Sequence, residues 1–464
     1  MFQIDFSHPA YVHFIGIGGI SMSGLASVLL NAGFRVSGSD AKESELTDML
    51  AKKGAVIQIG QRAENIDPAC DVVVYTAAIH PDNPEFAEAV RLKLPMLTRA
   101  QLLGEIMANY PDSIAVAGTH GKTTTTSMIS LITLEGHCDP TISVGGILKA
   151  IDGNIRVGNS GTFVTEACEY TNSFLSLKPL IGLVLNIDAD HLDFFKDLDD
   201  IRHSFHAFAK LIPENGTLVI HAGVPDLDAF TADLACRVVT FGAGGTYRPD
   251  SVVFDEYGSA SFDLYKDDVL FEHFMLSVPG MHNVENACAA IAACDALGIS
   301  KEAMKKGLLA FHGADRRFEK KGEKDGVTVI DDYAHHPTEI SAALKAARHY
   351  PHREIWCIFQ PHTYTRTQAL LDGFADALRE ADHVILADIY AAREINTIGI
   401  SSDAIREKLS GLGTDAVYIP SFEGILDYVS SRVAPGDLLI TMGAGDVYKI
   451  GEDFLSTLST VSTI

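Results

Sequence analysis

Twice in its first third the chain reads as a short apolar run, a glycine loop and an apolar helix, and this doubled turn most constrains the fold. In one copy the run "SIAVAG" leads through Gly118, Thr119, His120 and Gly121 into Lys122, Thr123 and Thr124. In the other, "VHFIGIGGISMSGLA" sets Gly16, Gly18, Gly19 and Ile20 between a strand pattern and a helix pattern. A strand that turns at once into a helix aims helix amides at the turn, where they hold anionic oxygens. Two such turns predict two nucleotide-type ligands on separate α/β domains.

The rest of the chain keeps the same rhythm. "FRVSG", "AVIQIG" and "DVVVYT" continue a first block that closes near Tyr110, and "TFVTEA" and "IGLVLNI" continue a second. Between about Asn215 and Pro279 the helical pattern thins out and "SVVFDEYGSASFDLYKDDVLFEHFMLSV" reads as a β-meander, while "GVTVIDDY", "EIWCIFQ", "HVILADI" and "DLLITMG" form a third, doubly wound block. The expected domains are residues 1–110, 111–313 and 314–464, with "FHGADRRFE" as the last hinge.

Composition narrows the function classes. Thirty-six basic against 61 acidic residues give a net charge of -25, which excludes a general nucleic-acid or anionic-membrane surface, so anionic ligands must be held locally. No apolar run is long enough to span a bilayer and no secretory leader is visible, so a soluble, cytoplasmic protein without membrane insertion is expected. Seven scattered cysteines with no Cys-x-x-Cys pair indicate neither a disulfide framework nor a zinc site.

The Lys-Thr pair is the stronger signal, since Lys122 supplies a cation for β- and γ-phosphates and Thr123 a hydroxyl for magnesium. The loop departs from the common Gly-x4-Gly-Lys form, because Gly118 leaves only a two-residue spacer. The first loop departs too: its next glycine after Gly19 is Gly24, although Asp40, at the end of the following strand, is placed for ribose hydroxyls. Hard metal ligands stand at strand ends as Glu166 or Glu169, Asp188, Asp190 and His191. Asn283 and Asn286 open a helix and either read an adenine edge or cap it, and Arg316 or Arg317 is the candidate phosphate or base contact.

The ordered set "GIGG", "GTHGKTTTT", "EACEY", "NIDADH", "GMHNVENA", "DRRFE", "DDYAHHPTE" and "QPHTYTRT" resembles the Mur ligases over nearly the whole chain. The resemblance implies three domains: a Rossmann-like domain for a UDP sugar, a central ATPase domain, and a Rossmann-like domain for an amino acid. It implies an ATP-dependent ligase that adds L-alanine to UDP-N-acetylmuramate through an acyl phosphate, in peptidoglycan precursor synthesis. Domain closure on the substrates is then expected. Carried over by position, Gly118 to Thr124, Asn283, Asn286, Arg317 and Asp332 serve ATP, while Thr123 and Glu166 hold one Mg2+ and His191 helps to hold a second. Gly16, Gly18, Gly19, Ile20, Asp40 and Tyr333 serve the UDP sugar, and Lys122, His335, His362 and Arg366 the chemistry, with His335 or His362 as the base.

Departures from the family pattern are specific. Thr363 stands where many relatives carry arginine, which leaves Arg366 for the amino-acid carboxylate, and "EACEY" replaces "EADES". No secure equivalent of the modified lysine of several relatives is present. The rival readings are a sibling ligase for a preformed peptide, a nicotinamide-dependent dehydrogenase, which leaves the second loop idle, and a non-catalytic nucleotide sensor. The sequence carries no signal for oligomeric state.

Overall fold

In the computed structural model, which describes residues 2–392 and 394–457, the elements alternate as the rhythm of the sequence demands. The first sheet is parallel and consists of β1 (Tyr11–Ile15), β2 (Arg35–Asp40), β3 (Val56–Ile59), β4 (Val72–Tyr75) and β5 (Met96–Thr98), in the order β3-β2-β1-β4-β5. Val12, Phe14, Ile15, Val72, Val73 and Val74 are fully buried, because parallel strands covered on both faces must be apolar throughout. Strand addition reverses between β1 and β4, so the loop Gly16–Gly19 opens at the switch point where parallel sheets receive ligands.

The second sheet repeats this device. In the order β12-β11-β10-β6-β9-β7-β8 it contains β6 (Asp112–Ala117), β7 (Thr141–Leu148), β8 (Gly153–Arg156), β9 (Thr162–Glu166), β10 (Ile181–Val184), β11 (Thr217–His221) and β12 (Arg237–Phe241). The central β6 pairs in parallel with both β9 and β10, and the helix Lys122–Glu135 follows it. The antiparallel hairpin of β7 and β8 is not among the elements expected above. It explains Gly24, where a Cβ would fall 1.8 Å from Ile155 Cδ1: the helix Ile20–Asn31 rests directly on the hairpin.

By compactness the chain falls into two units. The first comprises the residues up to Asp188, Leu198–Arg248 and Ala287–Gly307; the second comprises Ala189–Asp197, Pro249–Asn286 and the residues from Leu308 on. β13 (Tyr247–Phe254) begins in the first by pairing Tyr247 with Phe241. In the second, β14 (Ser259–Lys266) and β15 (Val269–Pro279) complete the expected meander as an antiparallel pair. The third sheet runs β16-β17-β21-β18-β19-β20, built from β16 (Glu319–Lys324), β17 (Val327–Asp332), β18 (Ile355–Phe359), β19 (His383–Leu386), β20 (Asp415–Tyr418) and β21 (Leu438–Met442). All but the β16–β17 pairing is parallel, and β21 and β18 are buried along their whole length.

The architecture is therefore α/β with three domains, each on its own sheet, as the sequence predicts. Among the described residues no helix is long and apolar enough to cross a membrane, and all seven cysteines are free.

Candidate active site

The phosphate-type loop is fixed from outside itself. Gly121 adopts φ 82 as the residue before the helix Lys122–Glu135, and Gly118 adopts φ 149, conformations that glycine takes without strain. Asn186, just past β10, accepts from His120 N at 2.8 Å through its side chain and returns a bond to His120 O at 3.1 Å. Thr119 Oγ1 accepts from Asp188 N at 2.9 Å, and His120 Nε2 lies 3.3 Å from Asp188 Oδ2. Asn186, which the sequence analysis does not single out, thus braces the loop from the neighbouring strand.

Lys122 is held over this loop by Gly118 O at 2.6 Å, Thr119 O at 3.1 Å and the Glu169 carboxylate at 2.9 Å. Burial favours the neutral amine, but Glu169 outweighs it and holds the ammonium above its ordinary range. The two acids of "EACEY" thus divide. Glu169 is buried against Lys122, whereas Glu166 Oε1 accepts from Gly145 N at 2.6 Å, a contact that a Cβ on Gly145 would crowd. Hard oxygens of Glu166 and Thr123, at the end of β9 and in the first turn of the helix, suit a divalent cation.

The other loop uses Asp40 for its own backbone. Gly16 N and Ile17 N donate to Ser39 O at 2.9 Å, and Gly18 N donates to Asp40 Oδ2 at 2.8 Å. One carboxylate oxygen of Asp40 is thereby committed to the turn, and the other accepts from Ala41 N. Gly19 precedes the helix, and Ile20 in its first turn is 65% exposed, an apolar surface at the mouth of the loop. Arg99, unremarked in the sequence, donates to Ser21 Oγ at 3.2 Å and brings a guanidinium beside that mouth.

In the second unit the remaining candidates form a cluster. Arg366 donates to Asp190 Oδ1 from Nε at 3.0 Å and from Nη2 at 2.7 Å, and its Nη1 lies 3.0 Å from His362 Nδ1. Burial raises the Asp190 carboxyl, yet the Arg366 charge prevails and holds it far below the carboxylate range. His191 takes φ 53 and anchors its amide on Asp190 Oδ1 at 2.7 Å. The rings of His335 and His362 meet edge to face at 5.7 Å, and those of Tyr333 and His335 at 5.4 Å. Burial pushes His335 down to about 4, so at neutral pH it is an uncharged, weak base.

The nucleotide candidates are placed unequally. Arg316 is bound to Asp331 Oδ2 at 2.9 Å and Gly443 O at 2.7 Å, while Arg317 makes a long contact of 3.7 Å with Glu339 and lies over the Tyr333 ring at 5.3 Å. Asn283 donates to Pro279 O at 2.7 Å and Asn286 to Asn283 Oδ1 at 3.3 Å, so both amides are engaged at the start of their helix. Between these two readings the neighbouring His282 is informative: it lines a cavity of about 650 Å³ with Phe254, Thr338, Lys345 and His349. Thr363 has φ 63 and ψ 148, a backbone conformation that costs a residue with a side chain about 1–3 kcal/mol and persists only where its surroundings enforce it.

Asp332 accepts from Ala334 N at 2.7 Å and Phe318 N at 2.8 Å, and burial nevertheless pushes it up to about 6. A carboxyl raised on folding stabilises fully below its unfolded value and loses that contribution as pH rises through its folded one. Asp332→Asn is therefore expected to shrink the difference in unfolding free energy between pH 5 and pH 8 by on the order of 1 kcal/mol. Denaturant titrations at the two pH values measure it, and an unchanged difference would refute the assignment.

Comparison with known proteins fits this geometry. The Mur ligase family catalytic domain matches residues 11–111, the Mur ligase middle domain 116–294, and the Mur ligase glutamate ligase domain 316–445. The chain belongs to the Mur ligase family. Within it, the chain is 56% identical to the UDP-N-acetylmuramate–L-alanine ligase of Lachnospira eligens, over 98% of this chain and all of that protein. The ligase of the same name from Acetivibrio thermocellus is 54% identical over 97% of each chain. Among solved structures, UDP-N-acetylmuramate-alanine ligase from Thermotoga maritima superposes with a TM-score of 0.77 at 30% identity, covering 96% of this chain and 98% of that one.

Proposed function

We propose that this chain is an ATP-dependent ligase that joins L-alanine to the lactyl carboxylate of UDP-N-acetylmuramate, in the synthesis of peptidoglycan precursors. The observation that carries the reading is that a phosphate loop with a buried, ion-paired lysine and an Arg366–Asp190–His362 cluster occur in a chain alignable end to end with relatives of that name. ATP as co-substrate follows from the family, and the cytoplasm is where that ATP is available.

The chemistry proceeds in two displacements. A carboxylate oxygen of the sugar nucleotide attacks the γ-phosphorus, the bond to the β-phosphate oxygen breaks, and ADP leaves an acyl phosphate. The alanine nitrogen then attacks the acyl carbon, and the tetrahedral intermediate expels phosphate to leave the amide. Lys122, kept protonated by Glu169, neutralises charge on the transferred group. Thr123 and Glu166 are the proposed ligands of one Mg2+ and His191 a proposed ligand of a second, and these ions when bound would supply further charge neutralisation on phosphate oxygens. Arg366 binds the amino-acid carboxylate, and His335 or His362 accepts the ammonium proton, with His335 the weaker for its burial. Gly16, Gly18, Gly19, Ile20 and Asp40 receive the UDP sugar, Asn283 and Asn286 the adenine of ATP, and Arg317 and Asp332 lie near that nucleotide.

Mixing the purified chain with magnesium, ATP and UDP-N-acetylmuramate is expected to release ADP only when L-alanine is added, with a product heavier by one alanine residue. Release with a tripeptide but not with alanine would assign the peptide-attaching reaction instead. Silence with both would leave a nucleotide sensor.

A further inference from the structure

One carboxylate that the reaction scheme leaves unused grips the amino-acid loop from behind. Glu394 accepts from Tyr364 N at 2.8 Å and Thr365 N at 3.0 Å, and from the Thr365 hydroxyl, thereby taking up the leading amides of the short helix Tyr364–Ala369. Its carboxyl is partly buried, which alone would raise it, yet the Thr365 hydroxyl and these amides hold it below the ordinary range as an anion.

Tyr390 holds the same loop at its entry. Tyr390 N donates to Pro361 O at 2.8 Å, Thr363 N donates to Tyr390 O at 2.9 Å, and the two segments pair as a parallel bridge at His362 and Tyr390. The Tyr390 ring stacks on His362 at 5.7 Å. Between these ties lies Thr363, in its strained left-handed conformation, with its carbonyl accepting from Thr367 Oγ1 at 2.6 Å. A residue at φ 63 relaxes when its surroundings let go, and relaxation at Thr363 changes the path of the segment between His362 and Arg366.

We propose that Glu394 is the positioning residue of the amino-acid pocket: with Tyr390 it clamps residues 361–366, and this clamp sets the affinity for the small amino acid without touching it. The inference rests on the ligase reading above, with Arg366 as the carboxylate ligand. It also gives Thr363 a part, because its hydroxyl is among the groups that hold the Glu394 carboxyl low. The pocket of this chain thus relies on a braced loop around Thr363.

Steady-state kinetics on the full chain test it, with ATP, UDP-N-acetylmuramate and L-alanine varied in turn. Glu394→Ala is expected to raise KM for L-alanine at least tenfold and leave KM for ATP and the sugar nucleotide within twofold. Glu394→Gln, whose amide oxygen still accepts, is expected to fall between. If the alanine variant does not fold, the glutamine variant decides: a selective rise in KM for alanine supports the clamp. A wild-type KM for alanine in either folded variant, or an equal rise for all three substrates, overturns it. Wild-type enzyme with no alanine-dependent ADP release would instead sink the ligase reading itself, so the two failures are distinguishable.

Discussion

Lys122→Met is expected to lower the rate of ADP release by at least about 10³-fold, the scale on which a placed cation stabilises phosphoryl transfer. The side chain of Lys122 is 16% exposed and that of Glu169 only 3%, so removing the ammonium leaves a desolvated carboxylate without its counter-charge. Such a loss costs about 3–5 kcal/mol of stability and would confuse a kinetic result with unfolding. The double variant Lys122→Met with Glu169→Gln separates the two. It removes both charges at nearly constant shape, so its denaturant midpoint should return toward that of the native protein, while ADP release stays lost. Activity within tenfold of wild type in either variant would remove Lys122 from the chemistry.

That prediction was within reach of the sequence because the loop and its lysine are contiguous. Six residues of strand, a glycine turn and a helix beginning at Lys122 are a local pattern, and local patterns survive without knowledge of tertiary contacts. The loop's outside supports do not share that property. Asn186 is 66 positions from His120 and becomes its partner only because β6 and β10 run side by side in parallel register. A polar residue at the end of an apolar strand was the only available signal.

Asp40 and Gly24 show the converse, where a real pattern carried more than one meaning. The acid at the end of the second strand was legible, but its bond to Gly18 N depends on how far the turn folds back. Gly24 entered the sequence analysis only as a departure from the glycine fingerprint, whereas its missing side chain makes room for Ile155. The turn Asp152-Gly153 between alternating residues was a hairpin signal from which β7 and β8 could have been found. In the second unit, Arg366 and Asp190 were each picked out, but a pair separated by 176 positions cannot be read as a pair from one sequence.

That pair carries the second large effect. The side chains of Asp190 and Arg366 are 8% and 11% exposed, and Arg366 Nε and Nη2 converge on one oxygen. Asp190→Asn keeps the size and an acceptor but withdraws the charge, leaving a buried guanidinium beside His335 and His362, and is expected to cost about 3 kcal/mol at pH 7. The sign with pH follows from the direction of the shift. A carboxyl held low on folding contributes stability above its unfolded value, near 4, and loses it as pH falls through the folded one. The gap between native protein and variant should therefore be full at pH 7 and narrow steadily in acid, below about pH 4. Denaturant unfolding at pH 7 and pH 3 measures it; a gap under about 1 kcal/mol at pH 7, or one that widens in acid, would mean that the pair does not hold this site together. Because Arg366 is also the proposed carboxylate ligand, KM for L-alanine in the folded variant should rise with the lost stability, as a guanidinium freed from Asp190 no longer keeps one orientation.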